Sequence, residues 1–270
     1  MKKIAPILRK ALVEAGEILV KGSRKPKRIR YKSRANLVTE TDRSAEEKIA
    51  RLIKKKFPDH DILAEESQAQ LGTTRAKSLR TNSPYRWIVD PLDGTTNFAH
   101  DLPVSAVSIG FEDHGKITVG GVFNPFSKEL FWAEFGKGAL LNGKPIHVST
   151  TPTLEKSLLV TGFPYDRARR ADQYMRVVSK FLKKSQGIRR LGAAALDCCY
   201  VACGRFDGFW EQKLNPWDQA AGFLIAMEAG ATCTDFSGEP FHIYKHEVLL
   251  TNGKIHGEML KVLGKYVEQR

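Results

Sequence analysis

Residues 87–98 read Trp-Ile-Val-Asp-Pro-Leu-Asp-Gly-Thr-Thr-Asn-Phe, and this stretch decides how the chain is interpreted. Its first three residues are apolar and are typical of the end of a buried strand. The proline and the glycine are expected to stop that strand and to form a tight turn. Asp90 and Asp93 would then face one cavity, and the Leu92 carbonyl could turn toward the same space.

The residues that follow the glycine are expected to begin a helix, whose first amide groups have no intrahelical partner. Carboxylates, a carbonyl and a helix N-terminus in one loop suit divalent cations that face a phosphate. Asp90 and Asp93 could instead serve only as turn and cap residues, because Asp is common beside Pro and Gly in turns. Taken alone, the loop leaves both interpretations open.

The composition is that of a globular chain. It has 270 residues, of which 42% are hydrophobic, enough for one large domain or two closely joined lobes. Charged residues interrupt the apolar N-terminal stretch, which predicts an amphipathic helix rather than a signal peptide, and no later segment resembles a membrane span. We therefore expect a cytoplasmic protein. The four cysteines form no Cys-x-x-Cys pair, which argues against a zinc site and a disulfide framework.

The charge is strongly basic, with a net value of +13. Eight Lys or Arg residues and no acidic residue lie between Lys21 and Arg34. Such a run could contact nucleic acid, acidic lipid or an anionic substrate, or it could be a solvated mobile loop. Tyr31 is its only aromatic residue, which weakens the interpretation as a dedicated RNA-binding segment.

Apolar periodicity predicts a layered arrangement of helices and sheets. Thr41 or Asp42 is expected to cap a helix over 41–56, and residues 61–64 read as a strand with acidic residues at its exit. The pattern from 105 to 148 predicts an antiparallel meander, in which Asn142-Gly143 forms a type I′ hairpin. Strands and helices then alternate, and the order favours helices that sandwich two sheets, one antiparallel and one mixed. The later helices are predicted at 171–184, 193–203, 218–229 and 256–267.

Two more acidic positions accompany the Asp90 loop. Asp218 opens a predicted helix of small residues, where it could be a functional carboxylate or only an N-cap. Glu65 and Glu66 form a pair that would ordinarily be solvated on the surface.

Three motifs, in this order along the chain, resemble those of the inositol monophosphatase family: Glu-Glu-Ser at 65–67, Asp-Pro-Leu-Asp-Gly-Thr-Thr-Asn-Phe at 90–98, and Trp-Asp-x-Ala-Ala-Gly at 217–222. Softer matches extend the resemblance from about Lys32 to past Gly230. It implies an α+β fold, a five-layer αβαβα sandwich like that of fructose-1,6-bisphosphatase. The expected organisation is one catalytic domain over 1–270, with lobes of about 1–150 and about 151–270.

The resemblance also implies two to three Mg²⁺ ions per subunit. Glu65, Asp90 and the Leu92 carbonyl would hold one ion, and Asp90, Asp93 and Asp218 would hold a second. Oxygen donors without nearby His or Cys favour Mg²⁺ over zinc on chemical grounds as well.

Further roles follow from the same resemblance. Glu65 and Thr95 would activate the attacking water, with Asp42 hydrogen-bonded to Thr95. Lys32 resembles a mobile-loop lysine near the third ion. Glu211 could contact a substrate hydroxyl, or it could be only a charged strand end. The full set of expected substrate contacts is Gly94, Thr95, Gly192, Ala193 and Glu211, where Ala193 stands at a position that is Thr or Ser in many relatives.

The function implied is hydrolysis of phosphate monoesters, foremost myo-inositol 1-phosphate and related polyol or sugar phosphates, by a Li⁺-sensitive homodimer. Alternatives with the same fold are phosphatases of histidinol phosphate, fructose 1,6-bisphosphate and 3′-phosphoadenosine 5′-phosphate. A different class is an accessory factor of ribosomal RNA transcription, because some bacterial relatives associate with RNA polymerase. The Lys21–Arg34 run could then contact RNA or a transcription complex. No membrane partner is expected.

Overall fold

The computed structural model describes residues 3–26, 29–33, 36–70 and 83–267. Within these ranges the chain forms eight α-helices and one short 3-10 helix, Leu154–Lys156. The α-helices are α1 (Ile4–Ser23), α2 (Glu40–Lys56), α3 (Glu65–Gln70), α4 (Thr95–Ala99), α5 (Arg167–Leu182), α6 (Ala194–Ala202), α7 (Pro216–Glu228) and α8 (His256–Val267).

The strands of the described residues form a two-stranded hairpin and two larger sheets. The hairpin is β1 (Ile29–Ser33) with β2 (Asn36–Thr39). A seven-stranded sheet has the order of the sequence: β3 (Asp61–Ala64), β4 (Tyr85–Asp93), β5 (Ala106–Asp113), β6 (Lys116–Asn124), β7 (Glu129–Glu134), β8 (Ala139–Leu141) and β9 (Lys144–Ile146). The remaining strands are β10 (Leu158–Thr161), β11 (Gly187–Arg189), β12 (Gly208–Gln212), β13 (Thr232–Thr234) and β14 (Glu247–Thr251), which form a sheet of order β11-β10-β12-β14-β13.

The helices and the two large sheets stack in five alternating layers. Helices α1 and α2 cover one face of the seven-stranded sheet, α6 and α7 lie between the sheets, and α5 and α8 cover the outer face of the five-stranded sheet. Three apolar clusters fill the four interfaces. The cluster of Trp87 lies under α1 and α2, that of Phe209 extends on both sides of α6 and α7, and that of Phe181 lies under α5 and α8. The expected α+β sandwich with αβαβα layering is confirmed.

Strand β4 is buried on both faces and carries the motif of the Asp90 loop. Trp87 and Val89 face the layer of α1 and α2, whereas Ile88 faces the central layer, as expected for side chains that alternate along a strand. The prediction that the proline ends this strand is wrong, because pairing with β5 continues to Asp93. Pro91, which has no amide proton, is accommodated in a bulge instead.

The bulge has a consequence for the two aspartates of the motif. Asp90 pairs with Ser108 and Asp93 with Ala106, so three residues advance on β4 against two on β5. Residues three apart on a regular strand point to opposite faces, and one extra residue restores the same face. The bulge therefore turns both carboxylates toward the central helical layer.

A pair of glycines allows α7 to approach the seven-stranded sheet. Gly110 and Gly120 are register partners on β5 and β6. A Cβ atom on Gly110 would lie 3.0 Å from the Ala220 Cβ, and one on Gly120 would lie 3.1 Å from both the Cα and the carbonyl oxygen of Ala221. The contact between small residues lets the start of α7, with Asp218, lie close to the end of β4.

Other predictions need correction. The N-cap of α2 is Thr39, not Thr41 or Asp42; the Asp42 carboxylate accepts from the Thr39 amide at 2.8 Å, which closes a capping box. The seven-stranded sheet is mixed rather than antiparallel, because β3 and β4 are parallel. The five-stranded sheet is mixed, as predicted. Helix α5 begins at Arg167, four residues before the predicted start.

The Lys21–Arg34 run is not one loop: its first residues end α1, and Ile29–Ser33 form strand β1, which pairs with β2. Lys27, Arg28 and Arg34 lie outside the described residues. The Asn142-Gly143 hairpin is confirmed, since both residues have positive φ. In the described ranges, no helix combines the length and the apolar character needed to cross a membrane.

The glycine pair yields a prediction for stability. Gly120→Ala places a methyl group against the backbone of α7, which cannot move aside as a flexible side chain would. We expect the free energy of unfolding, measured by urea denaturation, to fall by about 1–3 kcal/mol. Gly257→Ala is the matched control, because its Cβ would meet nothing within 4 Å. A Gly120→Ala chain as stable as the control would contradict the close packing of α7.

Candidate active site

Three carboxylates from three elements meet at the carboxyl end of β4. Oxygens of Glu65 at the start of α3, Asp90 on β4 and Asp218 in α7 all lie within 4.8 Å of one another. Asp90 is buried, and the other two are partly exposed. The Asp90 carboxylate accepts the Leu92 amide at 3.0 Å, which fixes its orientation across the bulge.

Asp93 is placed beside this group rather than within it. Its two carboxylate oxygens accept the amides of Ala194 and Ala195 at 3.2 and 2.8 Å. These amides belong to the first turn of α6, where a negative charge is favoured by the helix dipole. Asp93 therefore connects β4 to the central helix α6.

Asp218 is the third residue of α7, and the helix begins at Pro216. The cap position expected for Asp218 belongs to Asn215, whose amide donates to the Asp218 carboxylate at 2.6 Å. Gln219, the next residue, donates to the carbonyls of Ile243 and Lys245. The first turn of α7 is thus held from both sides.

Thr95 connects the end of β4 to helix α2. Its hydroxyl oxygen is 3.2 Å from the Asp42 carboxylate and 3.0 Å from the Leu92 carbonyl. Gly94 precedes it in the left-handed region, with φ of +84°. A Cβ atom there would also lie 2.8 Å from the Val104 carbonyl oxygen, so this turn requires glycine.

Glu211 lies at the other end of the expected substrate region, buried in β12. Its carboxylate fills the space that a side chain on Gly162 would occupy, since a Cβ there would lie 2.1 Å from the Glu211 Oε2. Gly192 has φ of +86° and is covered by the exposed Arg190, whose Nη1 would lie 2.3 Å from a Cβ on Gly192. Ala193 is buried and is the N-cap of α6.

Burial and mutual repulsion raise the pKa values of Asp90, Asp93 and Asp218. Burial raises the pKa of Asp90 well above its usual range, and the charges of Glu65, Asp93 and Asp218 add to this. Burial also raises the pKa of Asp218 strongly, and that of Asp93 to about 7. For Asp93 the amides of Ala195 and Ala194 oppose the shift. The described protein groups thus leave these carboxylates short of positive charge.

Glu211 follows the same rule, with burial raising its pKa to about 8 against the opposing charge of Arg190. Asp197 in α6, which the sequence reasoning missed, is fully buried, and its carboxylate oxygens have no hydrogen-bond partner among the described residues. Burial raises its pKa well above the usual range. Buried acidic residues therefore continue from Asp93 to Asp197 in α6 and Glu211 in β12.

The expected site residues are thus divided by the structure. Glu65, Asp90 and Asp218 are brought together, Asp93, Thr95 and Asp42 adjoin them, and Gly192, Ala193 and Glu211 lie on the side of α6 and β12. Lys32 lies in β1, and its side chain is outside the described part. Glu46 was missed: its carboxylate accepts the amides of Glu66 and Ser67 at 2.8 and 2.9 Å.

Fold and site together define a class of protein, an αβαβα sandwich with an oxygen-only carboxylate site suited to metal-dependent chemistry on phosphate esters. The family model described as "Inositol monophosphatase family" matches residues 1–268. The chain belongs to the inositol monophosphatase family, which confirms the resemblance of its motifs.

Similar proteins include both inositol monophosphatases and Nus factors. The chain is 48% identical to inositol-1-monophosphatase of Synechocystis sp. over 258 residues, which cover 95% of this chain and 87% of that protein. It is 37% identical to the Nus factor SuhB of Salmonella typhimurium, with 96% and 95% covered. Among solved structures, inositol monophosphatase from Anabaena (Nostoc) sp. superposes with a TM-score of 0.84 at 39% identity, covering 98% and 96%.

The raised pKa of Glu211 predicts a pH dependence of stability. The folded chain keeps a proton on Glu211 up to pH of about 8, whereas the unfolded chain releases it near pH 4.3. Between these values the folded state binds more protons, so the free energy of unfolding falls as pH rises. Glu211→Gln should remove up to about 1.4 kcal/mol per pH unit of this fall.

Urea denaturation in EDTA at several pH values between about 5 and 8 measures this effect. Glu239→Gln, at an exposed position, should retain the wild-type pH dependence. Equal slopes for wild type and Glu211→Gln would show that Glu211 ionises normally in the folded chain.

Proposed function

We propose that the chain is a Mg²⁺-dependent phosphate monoester hydrolase that releases inorganic phosphate from myo-inositol 1-phosphate and related polyol or sugar phosphates. The observation that carries this proposal is the group of carboxylate oxygens of Glu65, Asp90 and Asp218 within 4.8 Å of one another. We also propose a homodimer, as the family resemblance implies, and a cytoplasmic location, which the charged, amphipathic N-terminal stretch favours.

The donor set fits Mg²⁺. Carboxylates that lie this close repel one another, the more so beside the buried Asp90, and a cation between them relieves the repulsion. Carboxylate and carbonyl oxygens are the ligands that Mg²⁺ prefers. Two to three ions would be held by Glu65, Asp90, the Leu92 carbonyl, Asp93 and Asp218. When bound, they would supply charge neutralisation at the phosphoryl group and activation of a water.

The residues of the chain would then orient the reaction. The Thr95 hydroxyl, held between the Asp42 carboxylate and the Leu92 carbonyl, would position the attacking water together with Glu65. The Gly94 and Thr95 amides would bind phosphate oxygens. No covalent intermediate with the chain is required, because water is the nucleophile.

The alcohol of the substrate would lie toward α6 and β12. Glu211 would hydrogen-bond a hydroxyl of the polyol, and Gly192 and Ala193 would line the space beside it. Alanine in place of a hydroxyl residue at position 193 removes one polar contact and leaves Glu211 as the main selector of hydroxyl groups.

Activity of a metal-ligand variant tests the proposal. With Mg²⁺ and myo-inositol 1-phosphate, Asp218→Asn should lower kcat/KM by at least about 100-fold. Loss of a residue that only orients a metal ligand costs about 10–100-fold in metal affinity or activity, and loss of a direct ligand should cost more. Asp172→Asn, on the exposed face of α5, is the matched control and should keep wild-type activity. Phosphate release that survives Asp218→Asn, or that is absent in the wild type with every small monoester, would refute the proposal.

A panel of substrates separates the alternatives within the fold. Initial rates with myo-inositol 1-phosphate, histidinol phosphate, fructose 1,6-bisphosphate and 3′-phosphoadenosine 5′-phosphate give kcat/KM ratios that report contacts to the leaving group. We expect the polyol phosphate to lead, and Li⁺ to inhibit. A different leading substrate would reassign the physiological reaction while leaving the metal centre unchanged.

A second candidate function is that of a Nus factor, favoured by the similarity to SuhB of Salmonella typhimurium and by the basic run from Lys21 to Arg34. RNA binding that falls with salt and is lost on neutralising Arg28 and Arg30 would support it. Binding that ignores salt and both substitutions would count against it.

A further inference from the structure

Helix α3 begins directly after β3. The residue before it is Ala64, whose side chain cannot accept a hydrogen bond from the first free amides of the helix. Two of these amides donate to a side chain of helix α2. The Glu46 carboxylate accepts the Glu66 amide at 2.8 Å with one oxygen and the Ser67 amide at 2.9 Å with the other.

Glu46 is well placed to hold this turn rigidly. Its side chain is buried in α2, and the Ser67 hydroxyl donates to the same oxygen as the Ser67 amide. Hydrogen bonds to an ionised carboxylate in a buried setting are about twice as strong as neutral ones. Three such bonds fix the backbone immediately after Glu65.

The same face of α2 also contacts Thr95, which follows the Asp90 loop. Asp42 precedes Glu46 by four residues, one turn of the helix, and the Thr95 hydroxyl lies 3.2 Å from its carboxylate. Helix α2 therefore contacts two elements of the candidate site, the Thr95 turn through Asp42 and the Glu65 turn through Glu46.

We propose that Glu46 is a positioning residue for the metal centre, which holds the first turn of α3 so that the Glu65 carboxylate stays beside those of Asp90 and Asp218. The proposal rests on the metal site of the proposed function. Repulsion from two acidic neighbours acts to push Glu65 away, and the hydrogen bonds to Glu46 keep its backbone in place. Glu46 does not itself touch an ion or the substrate.

Metal affinity and backbone protection together test this role. Glu46→Gln keeps the size of the side chain but loses one of the two acceptor oxygens, and Glu46→Ala loses both. By isothermal titration calorimetry of the full chain, we expect Mg²⁺ to bind about 10–100-fold more weakly to these variants than to wild type. Excess Mg²⁺ should restore most of kcat, since the catalytic groups are intact.

Glu47→Gln is the matched control, because Glu47 is the next residue of α2 and its side chain is exposed. It should bind Mg²⁺ as the wild type does. Hydrogen–deuterium exchange in EDTA supplies a readout that needs no ion. The amides of residues 66 and 67 should exchange faster in Glu46→Gln than in the wild type, and at the wild-type rate in Glu47→Gln. Glu46→Gln is the decisive variant if Glu46→Ala fails to fold.

Wild-type Mg²⁺ affinity in Glu46→Gln, even with a lowered melting temperature, would overturn the proposal and leave Glu46 a purely structural residue. Unchanged exchange at residues 66 and 67 would overturn it as well. A wild-type chain that binds no Mg²⁺ would instead refute the proposed function, and amide exchange alone would then decide whether Glu46 positions α3.

Discussion

Repulsion among the carboxylates crowded around the buried Asp90 is the constraint on which the rest of this structure depends. Glu65, Asp90 and Asp218 come from three different elements, and burial with mutual repulsion raises the pKa values of the two aspartates. Such an arrangement opposes folding unless packing elsewhere fixes the elements that carry it. The three apolar clusters of the sandwich supply that packing and fix the elements that carry the site.

Small local devices convert this packing into the geometry of the site. The bulge around Pro91 turns Asp90 and Asp93 to the same side of β4, and the glycine pair beneath α7 lets Asp218 approach them. Helix α2 contributes at two points through carboxylates one turn apart. The bulge, the glycine pair and Glu46 act on the backbone, whereas Asp42 acts on the Thr95 hydroxyl.

Apolar periodicity predicted helices that sandwich two sheets. The αβαβα class and the roles of the acidic residues followed from the resemblance of three motifs to the inositol monophosphatase family, because the Asp90 loop taken alone left both of its interpretations open. The sequence did not predict the strand continuing past Pro91, since only pairing with β5 shows that a bulge can hold the proline. Strands β13 and β14 were not predicted, because they have only three and five residues and are defined by their pairing with each other and of β14 with β12. The cap of α3 was missed for a similar reason, although a glutamate in line with Asp42, Ile49 and Ile53 on the buried face of α2 was a usable signal.

The central claim is that the carboxylate cluster is a divalent cation site. The most direct test is anomalous scattering from a crystal of the wild-type chain soaked in Mn²⁺, which replaces Mg²⁺ at oxygen sites. A peak about 2.1 Å from oxygens of Glu65 and Asp90, with a second beside Asp90 and Asp218, is the predicted result. Ordered carboxylates with no anomalous peak among them, at Mn²⁺ concentrations that fill other sites in the same crystal, would contradict it.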